Sequence, residues 1–300
     1  MPTLIELSTI EAGIGGELIS EIAGNYPELS TIDAAPIDGT KLDLTVRTDL
    51  PTVAFSRIGE GVGTSKGGYV TRTFDTGNLK HFMKVPKDAL RKKPAEVVAR
   101  YLTTEQQGAV EAAMRVACRQ FYYGVTNDAK GFIGLIAQMK AAATHNVDAT
   151  GSAALSSVYF IADGPNKTQW IIGNNQTLDF EDWYDATVAA DEDATKSIEA
   201  RVAWMYFNPG VRVANKNSVV RVKNIGTATG KTATWDMLQD GLGKMLERGM
   251  TPNKIMMSHR TQRQLRDLSK TPEVLNPPLP KEFEGIPIVA THSISNDETI

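Results

Sequence analysis

Leu42, Leu44 and Val46 alternate with Asp43, Thr45 and Arg47, and this period of two predicts a strand with one face half buried. The alternation stops in a glycine-rich stretch, Gly59-Glu-Gly-Val-Gly63, followed by Lys66, Gly67 and Gly68. It resumes through Tyr69–Phe74 and again from Leu79 to Val85, where Leu79, His81, Met83 and Val85 alternate with Lys80, Phe82 and Lys84. The pattern predicts a long two-limbed β-arm with Gly59, Gly61, Gly63, Lys66, Gly67 and Gly68 at its tip. A lone two-stranded ribbon is marginal in water, so such an arm needs a neighbour to lie on. That requirement points to an assembly protein rather than a self-contained enzyme.

The period changes at Pro94, a residue suited to the first position of a helix because its missing N–H would be unpaired there anyway. Val98, Tyr101, Leu102, Ala109, Val110, Ala113, Val116, Ala117 and Phe121 form one stripe at helical spacing, and Gly124 ends it. About 28 residues at a helical rise give a length on the order of 40 Å. That length suits a structural spine, although a core helix of an α+β enzyme would show the same period.

Before the arm, residues 5–23 have apolar residues at roughly helical spacing broken by Gly13, Gly15 and Gly16, which predicts an interrupted helix that takes its order from partners. Residues 24–40 read as an extended linker. After the spine, a short helix is expected over Leu135–Ala143 and a hairpin over 157–161 and 168–172. Strands are expected at Ala200–Phe207 and Val211–Ile225. A helix from Trp235 closed by Gly249 places Trp235, Leu238, Leu242, Met245 and Leu246 on one face. A strand over Lys254–Ser258, a short basic helix near Gln262–Leu268, a proline-rich loop and a strand over Ile286–Ala290 complete the pattern. No internal repeat of fixed period is present.

Composition narrows the classes. Three hundred residues allow one large domain or two modest ones, and 41 % apolar with 22 % charged residues is ordinary for a folded chain. A net charge of −3 gives no overall basic field that would draw the whole protein to nucleic acid. The single cysteine, Cys118, excludes an intrachain disulfide and a cysteine-cluster metal site, and its place in the helical stripe predicts a small buried hydrophobe. The start of the chain has no basic segment followed by an apolar run, so no secretory signal is expected. No stretch approaches the ~18 apolar residues of a membrane span. A reducing, cytosol-like compartment is expected.

Candidate chemistry is sparse. Gly226-Thr-Ala-Thr-Gly-Lys-Thr232 lies between a strand and a helix, as a phosphate-binding loop would, and Gly230, Lys231 and Thr232 would carry a nucleotide hydrolase of P-loop type. The pattern needs four residues between its glycines so that successive N–H groups wrap the phosphates, and this chain has three. The bland alternative is a turn in which Thr232 or Thr234 caps the helix. Gly59-x-Gly-x-Gly63 lacks the flanking strand and helix of a dinucleotide fingerprint. His81, His145, His259 and His292 form no metal-ligand spacing, so no metal, cofactor or catalytic residue is assigned. Charge is more informative. Lys80, Lys84, Lys87, Arg91, Lys92 and Lys93 face a single acid in their segment, while Asp179, Glu181, Asp182, Asp185, Asp191, Glu192, Asp193 and Glu199 face a single base in theirs. Two solvated faces would explain this. The alternative is that one segment meets the other, or another acidic patch, across a subunit boundary, where opposed charges fix register. Contact with nucleic acid through its phosphates is a third reading.

The order of these elements resembles that of tailed-bacteriophage major capsid proteins with the Hong Kong 97 fold. Three stretches carry the likeness locally. They are Thr234-Trp-Asp-Met-Leu with Gly249-Met-Thr-Pro-Asn-Lys-Ile-Met-Met-Ser-His-Arg-Thr, Phe283-Glu-Gly-Ile-Pro-Ile-Val-Ala-Thr291, and the strands of 202–225. The resemblance implies an α+β capsid fold with an N-terminal arm (1–40), an extended loop (41–88) and a peripheral domain with the spine helix (89–130). It further implies an axial-domain or inserted hairpin region (131–199), long strands of the peripheral domain (200–231) and the α/β part of an axial domain (232–300). It implies a non-enzymatic subunit that forms pentamers and hexamers of an icosahedral head around double-stranded DNA. Scaffolding, portal and decoration proteins are the implied partners, and assembly would take place in the host bacterial cytoplasm before the protein resides in the virion. A cargo-holding shell of the same fold would read alike. Some relatives join loop to neighbour by a lysine–asparagine isopeptide bond, for which Lys66 is the lysine at the tip.

Overall fold

The structure is a computed structural model that describes residues 26–91, 93–142, 145–175, 178–189, 196–270 and 276–298. The interrupted helix expected over 5–23, Lys92 and the acids Asp191, Glu192 and Asp193 lie outside the described residues.

A short helix, α1 (Pro27–Thr31), leads into β1 (Ala34–Pro36) and the ribbon strands β2 (Lys41–Arg47) and β3 (Tyr69–Asp75). Strand β4 (Leu79–Pro86), one helical turn α2 (Lys87–Leu90) and the 29-residue helix α3 (Ala95–Tyr123) follow. The turn α4 (Leu135–Gln138) precedes β5 (Val147–Asp148), β6 (Ser156–Ile161) and β7 (Thr168–Ile172). Strands β8 (Asp179–Phe180), β9 (Tyr184–Ala189), β10 (Ser197–Phe207), β11 (Pro209–Val213) and β12 (Val219–Ile225) run on to helix α5 (Trp235–Leu246). Last come β13 (Lys254–Ser258), α6 (His259–Leu268), β14 (Glu282–Phe283) and β15 (Ile286–Thr291).

These strands make a six-stranded mixed sheet in the order β14-β15-β13-β6-β12-β5 and a three-stranded sheet β1-β7-β11. A further sheet centres on β10, with β4 on one side and β8 and β9 on the other, and β2 pairs only with β3. Strand β6 is buried on both faces. Tyr159 and Ile161 point into a core shared with Phe121 and Tyr122 of α3, Trp170 of β7 and Phe207 of β10. Val158 and Phe160 point the other way, onto Leu238, Leu242 and Met245 of α5 and Leu265 of α6. The period-two geometry of a strand lets one segment serve two cores. Aromatic contact draws α3 onto β7 and β6, with ring centroids 4.6 Å apart for Phe121 and Trp170 and 5.0 Å apart for Tyr122 and Tyr159.

Helix α3 forms where the stripe places it. Pro94 serves as its N-cap residue, and its carbonyl accepts from Val97 N and Val98 N at 3.0 and 3.1 Å. Gly124 closes it at φ +55, and a Cβ there would collide with the Gly134 backbone, 2.9 Å from its Cα. Tyr101 and Val116 depart from the expected stripe, being 42 % and 45 % exposed. Leu246 of α5 likewise faces outward.

Further expectations change here. Residues 24–40 are not an extended linker, since Pro27–Thr31 forms α1 and Ala34–Pro36 pairs with β7 as β1. The hairpin over 157–161 and 168–172 does not form: β6 is flanked by β12 and β13, and β7 by β1 and β11, so both edges of each strand are taken by other partners. The single strand expected over Val211–Ile225 breaks at Asn215, whose side chain accepts from Asn217 N at 2.9 Å, and the chain crosses there from one sheet to another. The helix expected over 135–143 stops at Gln138.

Candidate assembly surfaces

The ribbon is narrower than the alternation implies. Lys41–Arg47 pairs antiparallel with Tyr69–Asp75 in unbroken register, but β4 leaves the arm and pairs along its whole length with β10 of the body. Met83 and Val85 are therefore buried in the subunit instead of half-exposed on an arm. At the root, Phe74 packs with Ile37 and Ile171, and Leu42 and Leu44 lean on that small cluster. Beyond Thr48 the chain has no ladder of its own until Gly68, whose carbonyl accepts from Thr48 N at 3.0 Å. The limbs close on each other here, where the Thr48 and Asp49 side chains lie against Gly68. Past that closure, Leu50, Val53, Phe55, Ile58 and Val62 stand 58–110 % exposed. Gly59, Gly61 and Gly63 separate them with no atom near their Cβ positions, and Lys66 and Gly67 lie on the way back. Single exposed apolar residues are ordinary, but a contiguous apolar loop marks an interaction site.

The two charge segments meet inside the chain at one point. Strand β10 pairs Arg201 with Val85 on one side and with Asp185 on the other. Lys87 Nζ consequently reaches Asp185 at 3.1 Å and Glu199 at 3.5 Å, while Arg201 Nε lies 3.5 Å from Asp185. The hydrogen bond from Lys87 to Asp185 raises the lysine above its ordinary value. Lys84 Nζ donates to the Ala189 carbonyl at 2.9 Å, Lys93 lies over the Tyr101 ring, and Glu181 accepts from the Tyr206 hydroxyl at 3.2 Å. Lys80, Arg91, Asp179 and Asp182 form no ion pair among the described residues.

The phosphate-loop candidate fails on geometry. Lys231 Nζ donates to the Thr150 hydroxyl, and Gly226 N donates to the Lys231 carbonyl at 2.8 Å, which folds the segment into a closed turn. Helix α5 starts only at Trp235, and its first turn is capped by Thr234 Oγ1, which accepts from Met237 N at 3.3 Å. Gly230, Lys231 and Thr232 thus present no row of N–H groups at a helix start. His259 and His292 come together, with ring centroids 4.4 Å apart, a proximity that their distance in sequence conceals. No cluster of three metal-ligating side chains occurs among the described residues. Cys118 is fully buried, and burial pushes its thiol well up, which suits the small-hydrophobe reading.

Sequence reasoning missed two buried clasps and one groove. Glu298 Oε2 lies 2.9 Å from Arg221 Nη2 and accepts from Ser157 Oγ at 2.5 Å, while its Oε1 accepts from the Tyr123 hydroxyl at 2.6 Å. This joins the six-stranded sheet to the end of α3, and burial raises the Tyr123 phenol. Glu28 of α1 accepts from Tyr122 at 3.2 Å and from the Thr291 hydroxyl, and burial raises its carboxyl. A lone buried acid leaves no periodic mark in a sequence. The groove gathers Arg47, Arg72, Lys140 and Lys216, which belong to no linear basic run.

An exposed apolar loop at the end of a two-stranded ribbon is the largest unpartnered apolar feature among the described residues. A chain from the near-atomic structure of bacteriophage Epsilon15 is 19 % identical, with a TM-score of 0.65 over 90 % of this chain and 88 % of that one. A chain of the bacteriophage JBD30 capsid is 10 % identical, with a TM-score of 0.52 over 87 % of this chain and 88 % of that one. These likenesses show the α+β, Hong Kong 97-like fold. No curated protein matches the sequence. The family model for major capsid protein GP7 matches residues 30–300, and the chain belongs to that family of structural capsid proteins.

Proposed function

We propose that copies of this chain form the pentamers and hexamers of an icosahedral phage head that encloses double-stranded DNA. The observation that carries this reading is the loop from Leu50 to Val62, whose large apolar side chains are exposed at the end of a two-stranded ribbon. Laying Phe55 and Ile58 on a neighbour would contribute about 3–6 kcal/mol per contact at about 1.5–3 kcal/mol for each side chain. Repetition around a capsomer multiplies that gain. In this reading the six-stranded sheet with α5 and α6 forms the axial domain, while α3 and the sheet centred on β10 form the peripheral domain. Lys80, Arg91 and Lys93 then face a neighbouring subunit. The head would be built in the host bacterial cytoplasm with portal, scaffolding and decoration proteins as its partners.

Electron microscopy of the purified, concentrated chain tests this. Closed shells or capsomer rings are the expected outcome, with nucleic acid in particles taken from infected cells. Phe55→Ser/Ile58→Ser should leave the subunit folded and abolish those particles. A wild-type chain that stays single at high concentration would overturn the proposal.

A further inference from the structure

Four cations from four separate parts of the sequence share one groove. Arg47 and Arg72 come from the paired strands β2 and β3, Lys140 follows α4, and Lys216 lies in the turn between β11 and β12. The groove has a volume of about 540 Å³ between the ribbon root and the body, and its lining includes no Asp or Glu. Arg72 Nη1 donates to the Ala214 carbonyl at 3.3 Å, and Arg47 Nη2 donates to the Tyr69 hydroxyl at 3.1 Å, so both arginines are held in place. Lys140 and Lys216 form no ion pair among the described residues. Four like charges so placed repel one another in a free subunit, and they create a local field that an anionic partner would neutralise.

The chain also carries exposed groups of the opposite charge. Strand β8 lies at the edge of its sheet, paired only to β10, and Asp179 and Asp182 project from it and the following turn as exposed acids. The cations that serve this acidic segment internally, Lys87 and Arg201, are already engaged by Asp185 and Glu199. That leaves Asp179 and Asp182 over. We infer that the groove of one subunit receives the Asp179–Asp182 edge of a second copy of the chain. The inference rests on the self-assembly reading above. It favours protein over nucleic acid because Leu44 and Val46 of the ribbon also line the groove, which makes it continuous with the arm that needs a neighbouring subunit. Opposed charges at such a rim govern encounter and register more than affinity.

Charge reversal on full-length chains tests it. Lys140→Glu/Lys216→Glu and Asp179→Lys/Asp182→Lys should each keep a wild-type circular dichroism spectrum while slowing shell formation about tenfold or more, by loss of steering. Combining all four changes in one chain should bring the rate back to within about threefold of wild type, because the complementarity is restored with its signs exchanged. Lys140→Ala/Lys216→Ala, a milder change, should remove most of the salt dependence of assembly. Wild-type shells with normal assembly of the two reversed variants would overturn the groove assignment alone. A fourfold variant as slow as the double variants would do the same. Normal shells from Lys140→Glu/Lys216→Glu that lack nucleic acid would identify nucleic acid as the occupant and also overturn it. A wild-type chain that never assembles would instead defeat the reading on which the inference stands.

Discussion

Removing the Glu298 carboxylate should loosen the joint between the six-stranded sheet and the spine. Arg221 and Glu298 are each 5 % exposed, and the carboxylate takes hydrogen bonds from the Arg221 guanidinium, the Ser157 hydroxyl and the Tyr123 hydroxyl. Glu298→Ala strands all three donors and leaves a buried cation without its counter-charge. Breaking such a pair costs about 3–5 kcal/mol. At about 2 °C per kcal/mol for a chain of this size, the unfolding midpoint should fall by about 6–10 °C. Thermal unfolding of the unassembled chain, followed by circular dichroism, reads this directly. The companion variant Arg221→Met/Glu298→Leu replaces the ion pair by apolar groups of similar bulk. It should recover about 2 kcal/mol or more relative to Glu298→Ala, because no charge is left buried alone. The reasoning fails if Glu298→Ala melts within about 2 °C of wild type, a loss near 1 kcal/mol or less. It fails equally if the companion is as unstable as the two single changes added together.

Gly124→Ala should cost about 3 kcal/mol or more in urea unfolding, since a positive φ is joined there by a collision with the Gly134 backbone; a change below about 1 kcal/mol would contradict the close approach. Thr234→Ala should cost about 1 kcal/mol through loss of the α5 cap, and ATP with magnesium should shift the thermal midpoint of neither the variant nor the wild-type chain. Glu28 titrates above its ordinary 4.5 because it is buried. Its contribution is therefore full below that value and declines as pH rises through the raised folded value. Glu28→Gln should accordingly gain stability relative to wild type as pH rises from about 4.5 toward neutrality, and a pH-independent difference between the two melting curves would refute the assignment.

Local periodicity made part of this molecule readable in advance. Helix α3 could be seen from Pro94 and the apolar stripe because one side of it is buried for most of its length. Helix α5 could be seen from Leu238, Leu242, Met245 and the glycine that follows. Sheet membership was not readable. Thr168–Ile172 and Ser156–Ile161 look like a hairpin, yet each is claimed on both edges by strands far away in sequence. Strand β4 carries the same alternation as the ribbon strands, and only its pairing with β10 shows that it belongs to the body. The charged segments were visible as runs, whereas the internal partnership of Lys87 with Asp185 depends on the register of β10. The groove cations could not be seen as a group because residues 47, 72, 140 and 216 meet only after four elements have folded.

The ribbon is fixed to the body at one end, by Phe74, Ile37 and Ile171, while β4 is welded into the sheet beside it. Mechanically this is a cantilever. A beam of that kind concentrates bending at its root, so its far end can swing through a wide arc at small energetic cost to the cores behind it. In the assembly proposed above, one rigid body would then meet neighbours at several angles by bending at that root, with the conformation of its interior unchanged.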